Sequence, residues 1–344
     1  MKPLLHFALA LVAAAPLAAA AAGKVVVYNW SEYVPEEVLE QFTEETGIEV
    51  VYSTYESNEV MYAKLQLQNN AGYDVVFPST YYVSKMAREG RLMALDPEKL
   101  PNRQYLDPKL LGKDYDPGNR YSLPYFWGST GIALNPEEIE PGSIHSWKQL
   151  WDPSYERSLL LTDDVRDVFH VALSINGHSA NSTDPGEIEQ AYELLKELMP
   201  NVLVFNSDAP REPYLAGDVD LGMIWNGEVI QARDEGVDLE YVYPDEGAVF
   251  WVDSFVVPAG AENVDEAHAF IDFMLRPDIA KACVEYVGYA TPNLAAIELL
   301  DEETRNDPVI FPSAEIVANG EFQTDVGDAI ELYNRYWEML KVGR

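Results

Sequence analysis

The side chains of this chain best suited to chemistry are carboxylates set among aromatic rings, and they fall in three places. Asp253 lies inside the apolar run 248–257, Ala-Val-Phe-Trp-Val-Asp-Ser-Phe-Val-Val. A strand period of two puts Trp251, Asp253 and Phe255 on one face, so the acid stands between rings. A buried carboxylate needs a cation or several hydrogen-bond donors. No Lys or Arg lies in the run, which favours a cation supplied from outside; backbone amides are the structural alternative. In the second place, Leu161-Thr162-Asp163-Asp164-Val165-Arg166-Asp167, a strand runs into a helix. Asp163 suits the N-cap, and acids in a first turn are favoured by the helix dipole without any ligand. Asp164 and Asp167 are nevertheless three apart, which sets both on one helix face, with Arg166 pointing elsewhere. The third place, Asn29-Trp30-Ser31-Glu32-Tyr33, sends a carboxylate and two rings off one strand end. There the plain alternative is Ser31 as a helix cap and Trp30 as core.

These residues need elements to position them. Apolar runs and periodicity predict strands over 24–28, 48–53, 73–77, 159–161, 221–225 and 248–257, and helices over 35–45, 60–68, 81–89, 165–175, 264–275, 279–286 and 329–340. Strand and helix alternate, which implies right-handed crossovers and a largely parallel sheet. Between the two series lies a Pro/Gly-rich stretch, 97–131. A mature chain of about 320 residues exceeds what one hydrophobic core supports, so two α/β lobes with a cleft between them are expected. Ligands of open α/β sheets approach the carboxyl ends of strands, where all three places lie. Tyr81 and Tyr82, Trp225 and Tyr289 also stand at strand or loop ends.

Composition narrows the chemistry. Of 344 residues, 58 are Asp or Glu and 23 Lys or Arg, for a formal net charge of -35, so phosphate backbones and anionic lipid surfaces are poor partners. Cys283 is the one cysteine, which excludes an internal disulfide and thiolate-zinc sites. The histidines show no H-E-x-x-H or other metal spacing, and no cofactor is implied. Residues 1–22 open with Lys2, continue apolar and end in small residues, the pattern of a signal peptide. No later stretch is apolar for the ~18 residues of a spanning helix. An exported, periplasmic protein without membrane insertion is expected. Acids and aromatic plates with no clustered base describe a trench for a slender cation with apolar segments. Ammonium groups over ring faces gain ~0.5–2 kcal/mol each and charge-assisted hydrogen bonds ~1.5–3 each. Two or three such groups reach ~8 kcal/mol, enough for ~1 μM binding.

Seven runs, taken in order, carry a resemblance: Tyr28-Asn29-Trp30-Ser31-Glu32-Tyr33-Val34-Pro35, Tyr52-Ser53-Thr54-Tyr55-Glu56-Ser57-Asn58-Glu59, Pro78-Ser79-Thr80-Tyr81-Tyr82-Val83, Leu160-Leu161-Thr162-Asp163-Asp164, Gly222-Met223-Ile224-Trp225-Asn226-Gly227, Phe250-Trp251-Val252-Asp253-Ser254 and Thr291-Pro292-Asn293-Leu294. Together they resemble the periplasmic spermidine/putrescine-binding proteins of ABC importers, across essentially the whole mature chain. The resemblance implies an α/β, two-lobed periplasmic binding protein fold with a ligand cleft between lobes and interlobe crossovers. One lobe would comprise 23–133 with about 257–300, the other 134–256 with about 301–344. It implies binding without catalysis, an inner-membrane ABC permease as partner and a monomer. By motif, polyamine contacts fall on Trp30, Ser31, Glu32, Tyr33, Tyr81, Asp164, Asp167, Trp225, Trp251, Asp253, Tyr289 and Gln323, the last in Phe322-Gln323-Thr324-Asp325. The family pattern would have Glu at 167 in a spermidine-preferring relative and Thr at 31, where this chain has Asp and Ser.

Rival readings use the same residues. Glu32 and Asp164 would serve a glycosidase as acid and base. Tyr81-Tyr82 would suit ferric iron, and aromatic plates would suit maltodextrin or thiamine. A polyamine sensor would share the binding site of an importer subunit.

Overall fold

The computed structural model describes residues 23–343. The signal peptide read at 1–22 lies outside them. In chain order the first lobe begins with strand β1 (Lys24–Trp30), helix α1 (Glu36–Thr46), β2 (Glu49–Tyr55), α2 (Asn58–Leu67), β3 (Val75–Val76) and α3 (Thr80–Arg88). A long strand β4 (Ser122–Leu134) leads to β5 (Leu159–Leu161), α4 (Val165–Ile175), α5 (Pro185–Leu198), β6 (Val202–Phe205), α6 (Glu212–Leu215), β7 (Leu221–Trp225), α7 (Asn226–Asp234) and β8 (Glu240–Val242). Strand β9 (Val249–Val256) returns to helices Val264–Met274 and Pro277–Val287, and the chain finishes through β10 (Glu321–Phe322) and helix Ile330–Val342. Among the described residues no helix is long and apolar enough to cross a membrane.

The ten strands form one curled sheet in the order β2-β1-β3-β9-β4-β7-β5-β6, with β10 beside β9 and β8 beside β4. Both flanks are parallel, as the strand–helix alternation predicts: β1 pairs β2 and β3, and β5 pairs β6 and β7. The centre differs. There β4 runs antiparallel to β9 and β7, so the sheet is mixed rather than largely parallel. Strand β4 falls partly within the stretch read as a Pro/Gly-rich connection. It is buried along nearly its whole length on both faces, which removes the alternation that marks a half-buried strand. Pro124 interrupts the run, and the β4–β9 register shifts between Pro124 and Phe126, where a residue without an N–H is tolerated. Helices α5 and α7 also escape the periodicity reading, although Asp184 accepts from the N–H groups of Gly186 and Glu187 as an N-cap to α5.

Strand β4 connects two separate cores, with β9 paired alongside it. Leu123, Tyr125 and Phe126 pack with Val25, Phe42, Phe255 and Phe270. Ile132 and Leu134, farther along the same strand, pack with Trp147, Phe169 and Leu195. The chain is therefore a two-lobed α/β protein whose lobes share the long central strand β4. In the β4–β9 ladder Trp251 and Asp253 stand opposite Gly128 and Phe126.

Candidate functional site

A cavity enclosing about 630 Å³ of empty space, the part open to solvent included, lies where the two lobes meet. All twelve residues selected from sequence line it: Trp30, Ser31, Glu32, Tyr33, Tyr81, Asp164, Asp167, Trp225, Trp251, Asp253, Tyr289 and Gln323. They arrive from β1, α3, the start of α4, β7, β9 and three loops, and no two of the three acidic places are neighbours in the chain.

Asp253 is 4% exposed. Its Oδ2 accepts from the Tyr33 hydroxyl at 2.7 Å and its Oδ1 from the Ser79 hydroxyl at 2.6 Å. Ser79 is itself held, its oxygen accepting from Asn58 Nδ2 at 3.0 Å and its N–H donating to Asn58 Oδ1 at 3.1 Å. Burial pushes Asp253 up to about 7, the two hydroxyls pulling the other way and the charge of Asp164 adding to the rise. The partners are hydroxyls, not the backbone amides offered as the structural alternative.

Asp167 repeats this pattern in the first turn of α4. It is 3% exposed and accepts from Thr130 Oγ1 at 2.8 Å, Trp225 Nε1 at 2.8 Å and Gln323 Nε2 at 2.7 Å. Burial and the neighbouring charge of Asp164 push it up to about 7, against those three donors. Asp164, not Asp163, is the N-cap of α4: its Oδ1 accepts from the N–H groups of Arg166 and Asp167 at 2.8 and 3.0 Å. The expectation for Asp163 fails because the residue directly before a helix that starts at Val165 is Asp164, which leaves Asp163 exposed and paired with Lys341 at 3.3 Å. Asp164 is raised chiefly by burial. Arg166 turns away from these acids, as read from sequence, and gives its guanidinium to the Ala180 and Thr324 carbonyls and to Asn181. It also lies 5.2 Å from the Tyr81 ring centroid.

The strand-end run around Glu32 departs from expectation three times. Ser31 caps nothing: Pro35 precedes the first residue of α1, which has no side-chain cap. Glu32 is not a free carboxylate either. It crosses to Arg211, Nη2 to Oε2 2.9 Å, a cation 179 positions away that no local pattern in the sequence connects to it. Trp30 is half-buried rather than core, its Nε1 donating to the Phe77 carbonyl at 2.8 Å and its ring 4.7 Å from Tyr55.

The rings make the remaining walls. Trp251 stands edge-on to Tyr289 at 4.9 Å, and Tyr33 lies 5.7 Å from Tyr289. Gly128 admits the indole, because a Cβ there would sit 2.5 Å from the Trp251 ring. The Trp251 Nε1 is buried without a protein partner. Tyr55, Asn58, Ser79, Ser207, Asp208, Glu228 and Gln231 complete the lining and were not selected from sequence. Ser79 carried the best available signal, standing just past strand β3; Glu228 carried little, being one acid in an acidic helix. Among the described residues no group of three or more His, Cys, Asp or Glu is placed to hold a metal ion.

The arrangement is an aromatic-walled cavity between lobes whose buried acids meet neutral donors. A family profile described as bacterial extracellular solute-binding protein matches residues 37–312. The chain belongs to this family. Among relatives of this bacterial extracellular solute-binding protein, the spermidine/putrescine-binding periplasmic protein of Salmonella typhimurium is 55% identical over 317 residues, covering 92% of this chain and 91% of its own. The spermidine/putrescine-binding periplasmic protein 1 of Haemophilus influenzae is 47% identical over 327 residues, covering 95% and 91%. A solved structure described as a putative spermidine/putrescine ABC transporter from Listeria monocytogenes superposes with a TM-score of 0.89 at 37% identity, covering 94% of this chain and 100% of that one. Within the solute-binding family fold, the twelve residues line the crevice between lobes, Trp251 and Asp253 coming from β9 beside the shared strand β4.

Proposed function

We propose that this protein captures linear polyamines, spermidine or putrescine, in the periplasm and delivers them to an inner-membrane ABC permease. The observation that carries the reading is that Asp167 and Asp253, both buried and both raised to about 7, face one cavity and are bonded only to neutral donors. Such carboxyls favour a guest that brings positive charge, because an ammonium offsets the desolvation that burial imposes. The aromatic walls around them suit a methylene chain, with Trp251 and Tyr33 or Tyr81 against it and Asp164, Asp167 and Asp253 toward the ammonium groups. The names of the relatives agree with this ligand class and this compartment.

The twelve lining residues are the proposed ligand contacts. The lobes, 23–133 with about 257–300 and 134–256 with about 301–344, would close on the ligand by bending within β4 and β9, the hinge motion of a clamshell. The protein would act by binding alone, as a monomer. The capture of Glu32 by Arg211 weighs against a glycosidase in which Glu32 and Asp164 act as a pair. Titrating intrinsic tryptophan fluorescence with putrescine, cadaverine, spermidine and spermine tests the reading, since Trp30, Trp225 and Trp251 all line the cavity. Saturable response to these amines and none to maltodextrin or thiamine is expected; response to the sugar or thiamine instead would overturn it.

A further inference from the structure

We propose that Arg211 is a specificity-determining residue: by holding Glu32 and Glu228 in ion pairs, it makes one group of cavity acids unavailable to an incoming ammonium and biases the site against the longer polyamines. The inference rests on the polyamine reading above and concerns how that site discriminates length.

Arg211 is itself 6% exposed and sits just before α6 in the second lobe. Its guanidinium meets three carboxylates. Nη1 bonds Glu228 at 3.0 Å, Nε bonds Glu235 at 2.7 Å and Nη2 reaches Glu32 of the first lobe at 2.9 Å. Glu228 and Glu235 belong to α7 and its C-terminus, so the second lobe orients the guanidinium without help from the first. Glu32 then meets a preformed cation. Its backbone adopts φ 51°, in the left-handed region that non-glycine residues seldom occupy, and the conformation goes with a carboxylate aimed across the cleft.

The cavity acids consequently divide into two groups. Asp167 and Asp253 have only neutral donors, and each is affected by the charge of Asp164. Glu32 and Glu228 share one guanidinium, and the charge of Glu32 acts on Glu228. An ammonium reaching the first group gains charge-assisted hydrogen bonds outright. One reaching the second group has to share carboxylates that Arg211 already satisfies, and so gains less. A diamine can be served by the first group, whereas the additional amine of a triamine has to seek the second. Fitting length by charge competition needs no contact between Arg211 and the ligand chain, which makes Arg211 a positioning residue for Glu32 and not a ligand contact.

The test is calorimetric titration of the mature protein and its Arg211→Gln variant with putrescine and spermidine. Freeing Glu32 should raise the spermidine-to-putrescine ratio of association constants by about tenfold, the size of one charge-assisted hydrogen bond. Adding Glu32→Gln to Arg211→Gln should return the ratio to its wild-type value, a reversal that simple loss of structure does not produce. Arg211→Gln leaves buried Glu228 without its cation, so Arg211→Gln/Glu228→Gln, which replaces the buried pair with hydrogen-bonding amides, provides a second form with the same expected rise. An unchanged or lowered ratio in whichever form folds overturns the role of Arg211 while leaving polyamine binding intact. Failure of the unsubstituted protein to bind either amine overturns both readings together.

Discussion

The Tyr33 hydroxyl donates to Asp253 Oδ2 at 2.7 Å across 220 positions of sequence, tying the strand-end loop after β1 to the middle of β9. Burial and the adjoining carboxylate push the phenol well above its ordinary value, so it stays a donor. Together with Ser79 on Oδ1, it fixes the carboxylate in a buried setting. The acid is oriented by neutral donors and paired with no cation among the described residues.

Replacing Asp253 by Asn therefore removes a guest's charge partner while keeping an acceptor for one hydroxyl. Putrescine binding should weaken by at least about tenfold, since a hydrogen bond to a charged group contributes ~1.5–3 kcal/mol. Above about pH 7, where the empty protein carries the ionised acid, the variant should melt no lower than wild type, because the costly buried charge is gone. Calorimetry and thermal denaturation read the two effects separately, and unchanged affinity would remove Asp253 from the site.

The raised carboxyls set the pH response. In the empty protein Asp167 and Asp253 hold protons up to about pH 7, whereas in the unfolded chain they release them near their ordinary value of 3.8. Folded protein thus binds more protons than unfolded protein across that window, and each acid's contribution to stability declines as pH rises through it. A bound ammonium favours the ionised forms. Affinity should therefore climb between about pH 5 and pH 8, with protons released on binding. Calorimetry in two buffers of different ionisation enthalpy measures that release. A profile flat across this range, changing only near pH 4, would mean that the acids are ionised before the ligand arrives.

Gly128 offers a steric test that leaves every charge in place. Its added methyl in Gly128→Ala would lie 2.5 Å from the Trp251 ring and 2.7 Å from Asn226 Oδ1, so the indole has to move. Overpacking of this kind costs ~1–3 kcal/mol. Lower thermal stability, altered tryptophan emission and weakened amine binding are expected together. Wild-type affinity with wild-type emission would show that the indole's position against β4 is immaterial.

Much of the architecture was legible because local patterns and tertiary packing agree. The parallel strands β1, β5 and β7 and helix α4 combine apolar segments with recognisable starts and stops, and they stand within a few residues of where the sequence puts them. Strand β4 was not legible, since a strand buried on both faces and broken by Pro124 shows neither alternation nor an uninterrupted apolar run. Asp164 took the cap expected of Asp163 because two adjacent aspartates offer equivalent chemistry, and the one-residue choice follows from where the strand ends and how the helix packs.

By itself the sequence determined which side chains are chemically unusual: an acid stranded in an apolar strand, acids three apart at a helix start, rings at strand ends and too few bases to match them. Tertiary structure alone decided which of those acids remain uncompensated. Arg211 reaches Glu32 from the other lobe while Asp167 and Asp253 receive only hydroxyl, indole and amide donors, and ion pairing acts over a few ångströms of space, a distance that separation along the chain does not encode.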